Sequence, residues 1–126
     1  MKVMVLGKAT KNTEAGVPPD PAAMQAMERY NEALIAAGIK IEIMGGLKPS
    51  RFAKHVHFSG KKATVTDGPF ADTKEIVAGF SLWEVKSIEE AVEWVKKLPM
   101  TEECDTVIFP LYGLEDFAAW DRGEGQ

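Results

Sequence analysis

Three segments of this 126-residue chain carry large apolar side chains on both sides of a predicted β-strand. Residues 76–85 place Phe80 on one side and Trp83 on the other, and residues 1–6 and 105–111 follow the same two-sided pattern. A strand with water on one side alternates apolar and polar residues instead. The pattern therefore predicts a sheet that is covered on both faces.

Two long amphipathic helices are predicted between the strands. The first begins at Asp20, which can cap free backbone N–H groups, and ends at Gly38. The second begins at Ser87, with a glutamate three residues later as a capping box, and stops before Pro99. The element order is β-α-β, hairpin, β-α-β, which places both helices on one side of the sheet. We therefore expect a single α+β domain over residues 1–126, a ferredoxin-like split β-α-β sandwich with an inserted hairpin.

The face opposite the helices needs another cover. Burying a large apolar side chain is worth roughly 1.5–3 kcal/mol, and an apolar face left in water forms a large adhesive patch. A second copy packed face to face would bury it, so we predict a homodimer. A short closing helix over residues 114–120 would bring Phe117 and Trp120 to the edge of that contact.

Composition narrows the partners and the compartment. The net charge of −4 argues against a nucleic-acid surface, which needs an excess of Lys and Arg. Cys104 is the only cysteine, so neither an intrachain disulfide nor a cysteine-rich metal site is expected. The apolar N-terminal run stops at Gly7, too short for a signal peptide or a membrane span. We expect a cytoplasmic protein without a membrane segment, cofactor or bound metal.

The turn at Asp67-Gly68-Pro69-Phe70 is the most distinctive candidate site. Asp67 can serve as a general base or bind a polar ligand group. In the alternative interpretation its carboxylate accepts local backbone N–H bonds and Phe70 fills the core. Lys74 can supply a cation for an anionic ligand, or it can simply be solvated.

Two histidines form a second candidate. His55 and His57 lie two residues apart in a predicted extended segment and point to the same side, together with Arg51. His57 is a candidate proton acceptor, and the pair can hold a metal if Asp67 or Glu14 supplies a third ligand. An exposed hairpin with polar histidines is the alternative.

Residues 7–19 are rich in Gly, Pro and Thr and are predicted to form a long loop. Long polar loops often contact ligands, so Lys8, Thr10 and Glu14 are candidate ligand contacts. Glu14 and Lys8 can pair over a pocket between the sheet and this loop, which Asp67 and Phe70 would also line. Plain exposure to solvent is the alternative.

The run TDGPFADTKE at residues 66–75 resembles the signature of the DGPF group within the YCII-related family. Similar runs are KAT at 8–10, TEAGV at 13–17, FSG at 58–60 and IVAGFSLWEVKS at 76–87, and the resemblance extends to about residue 117. It implies a dimeric α+β barrel. It also implies a regulatory setting, because many members are encoded near extracytoplasmic-function sigma factors.

A few members of the family are lyase-like or dehydrochlorinase-like enzymes with a His–Asp pair. Their histidine lies near the start of the first helix, where this chain has Pro21-Ala22-Ala23-Met24. We therefore expect a small-molecule binding or accessory regulatory protein linked to such a sigma factor. The alternative is a small isomerase or lyase in which Asp67 or a histidine abstracts a proton while Lys8 or Arg51 stabilises the anion.

Overall fold

The computed structural model describes residues 1–72 and 75–123. The strands are β1 (Lys2–Lys8), β2 (Lys40–Gly46), β3 (Lys54–Ser59), β4 (Lys62–Asp67), β5 (Val77–Glu84) and β6 (Thr106–Pro110). The helices are α1 (Lys11–Glu14), α2 (Pro21–Ala36), α3 (Ile88–Val95) and α4 (Leu114–Asp121), and a 3-10 turn lies at Ser50–Phe52.

Four strands form an antiparallel sheet in the order β2-β5-β1-β6. Strands β3 and β4 form a separate two-stranded hairpin, inserted between β2 and β5. Without the hairpin, the order is that of a split β-α-β sandwich, in which each helix crosses over one intervening strand. The predicted ferredoxin-like α+β fold with an inserted hairpin is therefore confirmed.

The two long helices begin where the sequence predicts. The Asp20 carboxylate accepts the Ala23 N–H at 2.7 Å at the start of α2, and Gly38 ends that region with a φ of +92°. The Ser87 hydroxyl oxygen accepts the Glu90 N–H at the start of α3. Each cap satisfies a backbone donor that the first turn of a helix leaves free.

The hydrophobic core lies between the sheet and these helices. Val3 and Trp83 are paired in register on β1 and β5, and both are buried beside Leu34 of α2 and Ala91 of α3. Tyr30 of α2 is also buried, and its hydroxyl donates to the Trp94 carbonyl. Burial raises the pKa of Tyr30 to about 12 because the phenolate would lose hydration. The chain's own helices thus cover one face of the sheet.

The opposite face, which we call the open face, carries two apolar rows across the strands. Register places them in the rows Ile43–Leu82–Met4–Phe109 and Gly45–Phe80–Leu6–Val107. The side chains at the two ends of the first row, Ile43 and Phe109, remain 55% and 57% exposed. The two-sided apolar pattern in the sequence therefore corresponds to a real second face without a helix of its own among the described residues.

The structure corrects two predictions about β2. Gly45 and Gly46 do not break β2, which runs through both. A register shift at Glu42 turns Ile43 to the open face, although strict alternation groups it with Ile41. Such a bulge inserts one residue and exchanges the two faces beyond it.

Two further segments differ from their prediction. The loop after β1 contains the four-residue helix α1, which Thr10 caps by accepting the Thr13 N–H at 3.2 Å. The segment predicted as extended from Arg51 begins with a 3-10 turn. Both short helices are local hydrogen-bonded turns, which apolar periodicity does not reveal.

Candidate functional site

A cavity of about 450 Å³ opens where β2 leaves the sheet and β5 enters it. This volume lies in the range of small-molecule sites. The walls are mostly apolar and come from the β2–β3 connection, the segment after β4 and the start of β5. The lining residues are Leu47, Lys48, Pro49, Ser50, Phe52, Ala53, Phe70, Glu75, Ile76 and Val77.

A chain of hydrogen bonds joins three loops behind this cavity. The Glu14 carboxylate accepts the Ser50 N–H at 2.8 Å and the Ser50 hydroxyl at 2.5 Å. The Ser50 hydroxyl oxygen in turn accepts the Phe70 N–H at 2.9 Å. Ser50 is only 2% exposed, so these bonds are the ones that satisfy its hydroxyl.

The loops meet closely because glycine occupies position 68. A Cβ built on Gly68 would lie 1.7 Å from the Ser50 carbonyl oxygen, so any side chain there would collide with the backbone. The Gly68 N–H also donates to the Ala53 carbonyl at 3.0 Å. The turn following β4 is therefore packed directly onto the 3-10 turn that forms the cavity wall.

Charged groups of both signs lie at the cavity. Lys48 and Glu75 are among its lining residues. The Lys48 ammonium lies 5.6 Å from the centre of the Phe52 ring, and the Arg51 guanidinium lies 4.6 Å from it. A cation near an aromatic wall suits a flat ligand that carries negative charge.

Asp67 lies outside this cavity, at the end of β4. Its carboxylate forms an ion pair with Lys54 at 2.6 Å, and its side chain is 71% exposed. The interpretation in which the carboxylate caps local backbone N–H groups is replaced by this pair. Phe70 lines the cavity and is partly buried, so the two ends of the distinctive turn have separate environments.

The histidines lie on the exposed hairpin. His55 and His57 pair in register with Thr66 and Thr64, and only His55 approaches the site, with its ring 6.1 Å from that of Phe70. Over residues 1–72 and 75–123, no group of three or more His, Cys, Asp or Glu side chains can hold a metal. The proposed third ligands are elsewhere, since Glu14 binds Ser50 and Asp67 binds Lys54.

The other residues predicted to contact a ligand lie in different surroundings. Thr10 caps α1. Lys8 is partly buried at the end of β1, where its backbone N–H donates to the backbone carbonyl of Asp105. The expected Lys8–Glu14 pair is replaced by the Glu14–Ser50 bonds. Arg51 is exposed and donates to the Glu14 carbonyl at 3.4 Å. Lys74 lies outside the described residues.

The lining of the cavity differs from that predicted for the pocket. Phe70 lines it, Glu14 stands behind it, and neither Lys8 nor Asp67 is among the lining residues that the structure describes. Sequence reasoning missed Ser50, Phe52 and Ile76. The Pro49-Ser50 pair that follows β2 was the available signal, since serine in a loop often bonds to a neighbouring backbone or carboxylate.

A second depression of about 370 Å³ lies beyond α3 and includes Cys104 among its lining residues. Burial raises the pKa of the Cys104 thiol, and the carboxylates of Glu102 and Asp105 raise it further. The pKa of Glu102 is itself lowered by hydrogen bonds from Thr10 and Asn12. The thiol is thus held in its unreactive protonated form.

The structure is that of a small ferredoxin-like α+β protein with a cavity at one end of its sheet. Residues 1–110 match the YCII-related domain, so the chain belongs to the YCII-related family. Within the described residues, none of the helices has the length and apolar character needed to cross a membrane.

Among the known proteins that resemble this chain are a relative in sequence and a solved structure. An uncharacterized protein of Rhizobium meliloti (strain 1021) is 32% identical over 79 residues, which make up 63% of this chain and 63% of that protein. The chain thus matches less than two thirds of the length of this relative.

The second is a solved structure, 5-chloro-2-hydroxyhydroquinone dehydrochlorinase (TftG) from Burkholderia phenoliruptrix AC1100 in complex with 2,5-dihydroxybenzoquinone. It superposes with a TM-score of 0.51 at 19% identity, covering 91% of this chain and 97% of that one. At this identity the likeness concerns the fold.

Proposed function

We propose that this protein binds a small, flat, anionic molecule in the cavity between the β2–β3 connection, Phe70 and the start of β5. The observation that carries the proposal is the composition of the walls. Phe52, Phe70 and Ile76 offer apolar and aromatic surface, and Lys48 adds a positive charge at the same opening. Apolar walls with a few placed polar groups are the usual construction of a small-molecule site.

The size class of the ligand follows from the volume. A cavity of about 450 Å³ accommodates a single substituted ring. The solved dehydrochlorinase with the same fold is in complex with 2,5-dihydroxybenzoquinone, a ring of this class. Glu75 at the opening can accept a hydrogen bond from a ring hydroxyl, so a hydroxylated ring with a second, anionic oxygen fits both charges.

An isomerase or lyase is the second candidate, and the fold of the dehydrochlorinase favours it. A proton-transfer enzyme needs a base within reach of the ligand. Among the described residues that line the cavity, Glu75 is the one carboxylate, whereas Asp67 and His57 lie on the exposed hairpin. This distribution supports binding over catalysis.

The proposal also includes a homodimer. The open face would pack against that of a second copy, and the aromatic group at α4 would border the contact. Tyr112, Phe117 and Trp120 form that group, with ring centres 4.6 to 5.9 Å apart.

Membership of the DGPF group, a cytoplasmic location and the link to an extracytoplasmic-function sigma factor remain predictions from the sequence resemblance.

Calorimetric titration with 2,5-dihydroxybenzoquinone and with benzoate tests the binding site. We expect a dissociation constant on the order of 0.1–1 mM for at least one of them, typical of a single-ring ligand in a preformed pocket. Phe52→Ala removes one wall and should weaken binding about tenfold.

Phe58→Ala is the matched control for this titration. Phe52 and Phe58 are both exposed phenylalanines, at 58% and 74%, but Phe58 lies on the hairpin outside the cavity. Equal losses in the two variants would place the ligand elsewhere. If neither probe binds the parent protein at millimolar concentration, the proposed ligand class is wrong.

A further inference from the structure

We propose that Glu14 is a positioning residue, which sets the shape of the ligand cavity through Ser50 without touching the ligand. The inference rests on the proposed function and deepens it. Glu14 is absent from the cavity lining, whereas its two hydrogen-bond donors come from Ser50, which does line it. The ligand-contact role expected of Glu14 is thus replaced by an indirect one.

The geometry holds Ser50 from three directions. Both Glu14 carboxylate oxygens are used, one by the Ser50 N–H and the other by its hydroxyl. The same hydroxyl oxygen accepts from the Phe70 N–H. The loop after β1, the loop after β2 and the turn after β4 therefore share one buried side chain.

The charge on Glu14 matters because Ser50 has no access to water. Hydrogen bonds to an ionised carboxylate are stronger than those between neutral groups. Glu14→Gln keeps one acceptor oxygen where the carboxylate has two, so one of the two Ser50 donors is left unsatisfied, since solvent cannot replace the lost oxygen at a residue that is 2% exposed. Removing the charge should therefore loosen Ser50 and, through it, the backbone of Phe70.

Loosening Ser50 and the backbone of Phe70 would affect two walls of the cavity. Ser50 begins the 3-10 turn that carries Phe52, and Phe70 is another of the lining residues. When these walls are free to separate, a ligand must order them on binding and its affinity falls. Glu14 thus acts on affinity from outside the cavity.

The experiment compares Glu14→Gln and Ser50→Ala with the control Glu28→Gln, an exposed carboxylate on α2. Binding of 2,5-dihydroxybenzoquinone and benzoate is measured by calorimetry, and amide hydrogen exchange is followed at Ser50, Phe70 and the β1 strand. We expect Glu14→Gln to raise the dissociation constant about tenfold and to speed exchange at Ser50 and Phe70 by a similar factor, with β1 unchanged. Glu28→Gln should alter neither.

The double variant provides a second check. Glu14→Gln combined with Ser50→Ala should weaken binding by less than the sum of the two single losses, because both changes break the bond between the Ser50 hydroxyl and the carboxylate, while the N–H of residue 50 remains in Ser50→Ala. Additive losses would overturn the proposal. So would uniformly faster exchange that includes β1, which would mean a general loss of stability, or faster exchange at Ser50 and Phe70 with unchanged affinity.

Failure of the proposed function gives a different result. If the parent protein binds neither probe, the proposed ligand class fails while the exchange measurement still reports on Ser50 and Phe70. Unchanged exchange at these two amides in Glu14→Gln would overturn the positioning role by itself.

Discussion

Gly68 packs against the carbonyl of Ser50 so closely that a Cβ on Gly68 would lie 1.7 Å from the oxygen. We predict that Gly68→Ala destabilises the protein by about 3 kcal/mol, because the backbone must shift to relieve the overlap. Urea unfolding followed by tryptophan fluorescence measures the change. Gly46→Ala is the matched control, since nothing lies within 4 Å of a Cβ at that position, and a comparable loss in both variants would contradict the prediction.

Tyr30→Phe should lower the free energy of unfolding by about 1 kcal/mol near neutral pH. The substitution removes the hydroxyl that donates to the Trp94 carbonyl and leaves the buried ring in place. Chemical unfolding of both proteins at pH 7.5 measures the difference. This pH is far below the titration range of Tyr30, so its exact value matters little. Tyr112→Phe, at an exposed tyrosine near α4, is the control and should change stability far less.

The same residue predicts a dependence on alkaline pH. Because burial raises the Tyr30 pKa from 10.0 to about 12, its unfolded form releases a proton at lower pH than its folded form. The difference in pKa between the folded and unfolded states therefore contributes stability below pH 10, and this contribution is lost as the pH rises toward 12. The free energy of unfolding of the parent should therefore fall by about 2 kcal/mol relative to that of Tyr30→Phe across that interval, which reverses the order of the two proteins, and a constant difference would refute the assignment.

Phe109→Lys should disrupt the proposed homodimer. Phe109 ends an apolar row on the open face and is largely exposed, so a charge there is tolerated in one copy but is costly in a buried contact. Sedimentation velocity should show a dimer for the parent at micromolar concentration and a monomer for the variant. Met24→Lys, on the exposed surface of α2, is the control and should remain dimeric. A monomeric parent would end the dimer proposal.

Cys104 should react slowly with thiol reagents. Its raised pKa leaves little thiolate at pH 8, so we expect the folded protein to react with Ellman's reagent about tenfold more slowly than the unfolded chain. Glu102→Gln removes one of the charges that raise this pKa and should speed the reaction. An unchanged rate would show that access, and not charge, controls the thiol.

Much of the fold was determined by local sequence signals. Asp20 and Ser87 mark the starts of α2 and α3 because each supplies an oxygen to a free backbone N–H in the first helical turn. The two-sided apolar pattern of β1, β5 and β6 indicated a central sheet covered on both faces, and the element order placed both long helices on one of them. These signals depend on neighbours a few residues away, which is why a single sequence reveals them.

The candidate site was decided by tertiary structure. Glu14, Ser50 and Phe70 are far apart in the chain, and no spacing rule predicts that one buried hydroxyl will connect them. The bulge at Glu42, which sends Ile43 to the open face, likewise depends on pairing with β5. Sequence by itself determined where the strands and the two long helices lie, because those preferences are local. Which side chains meet at the cavity follows from long-range packing, where a close approach such as that of Gly68 to Ser50 exists only once the sheet has brought the loops together.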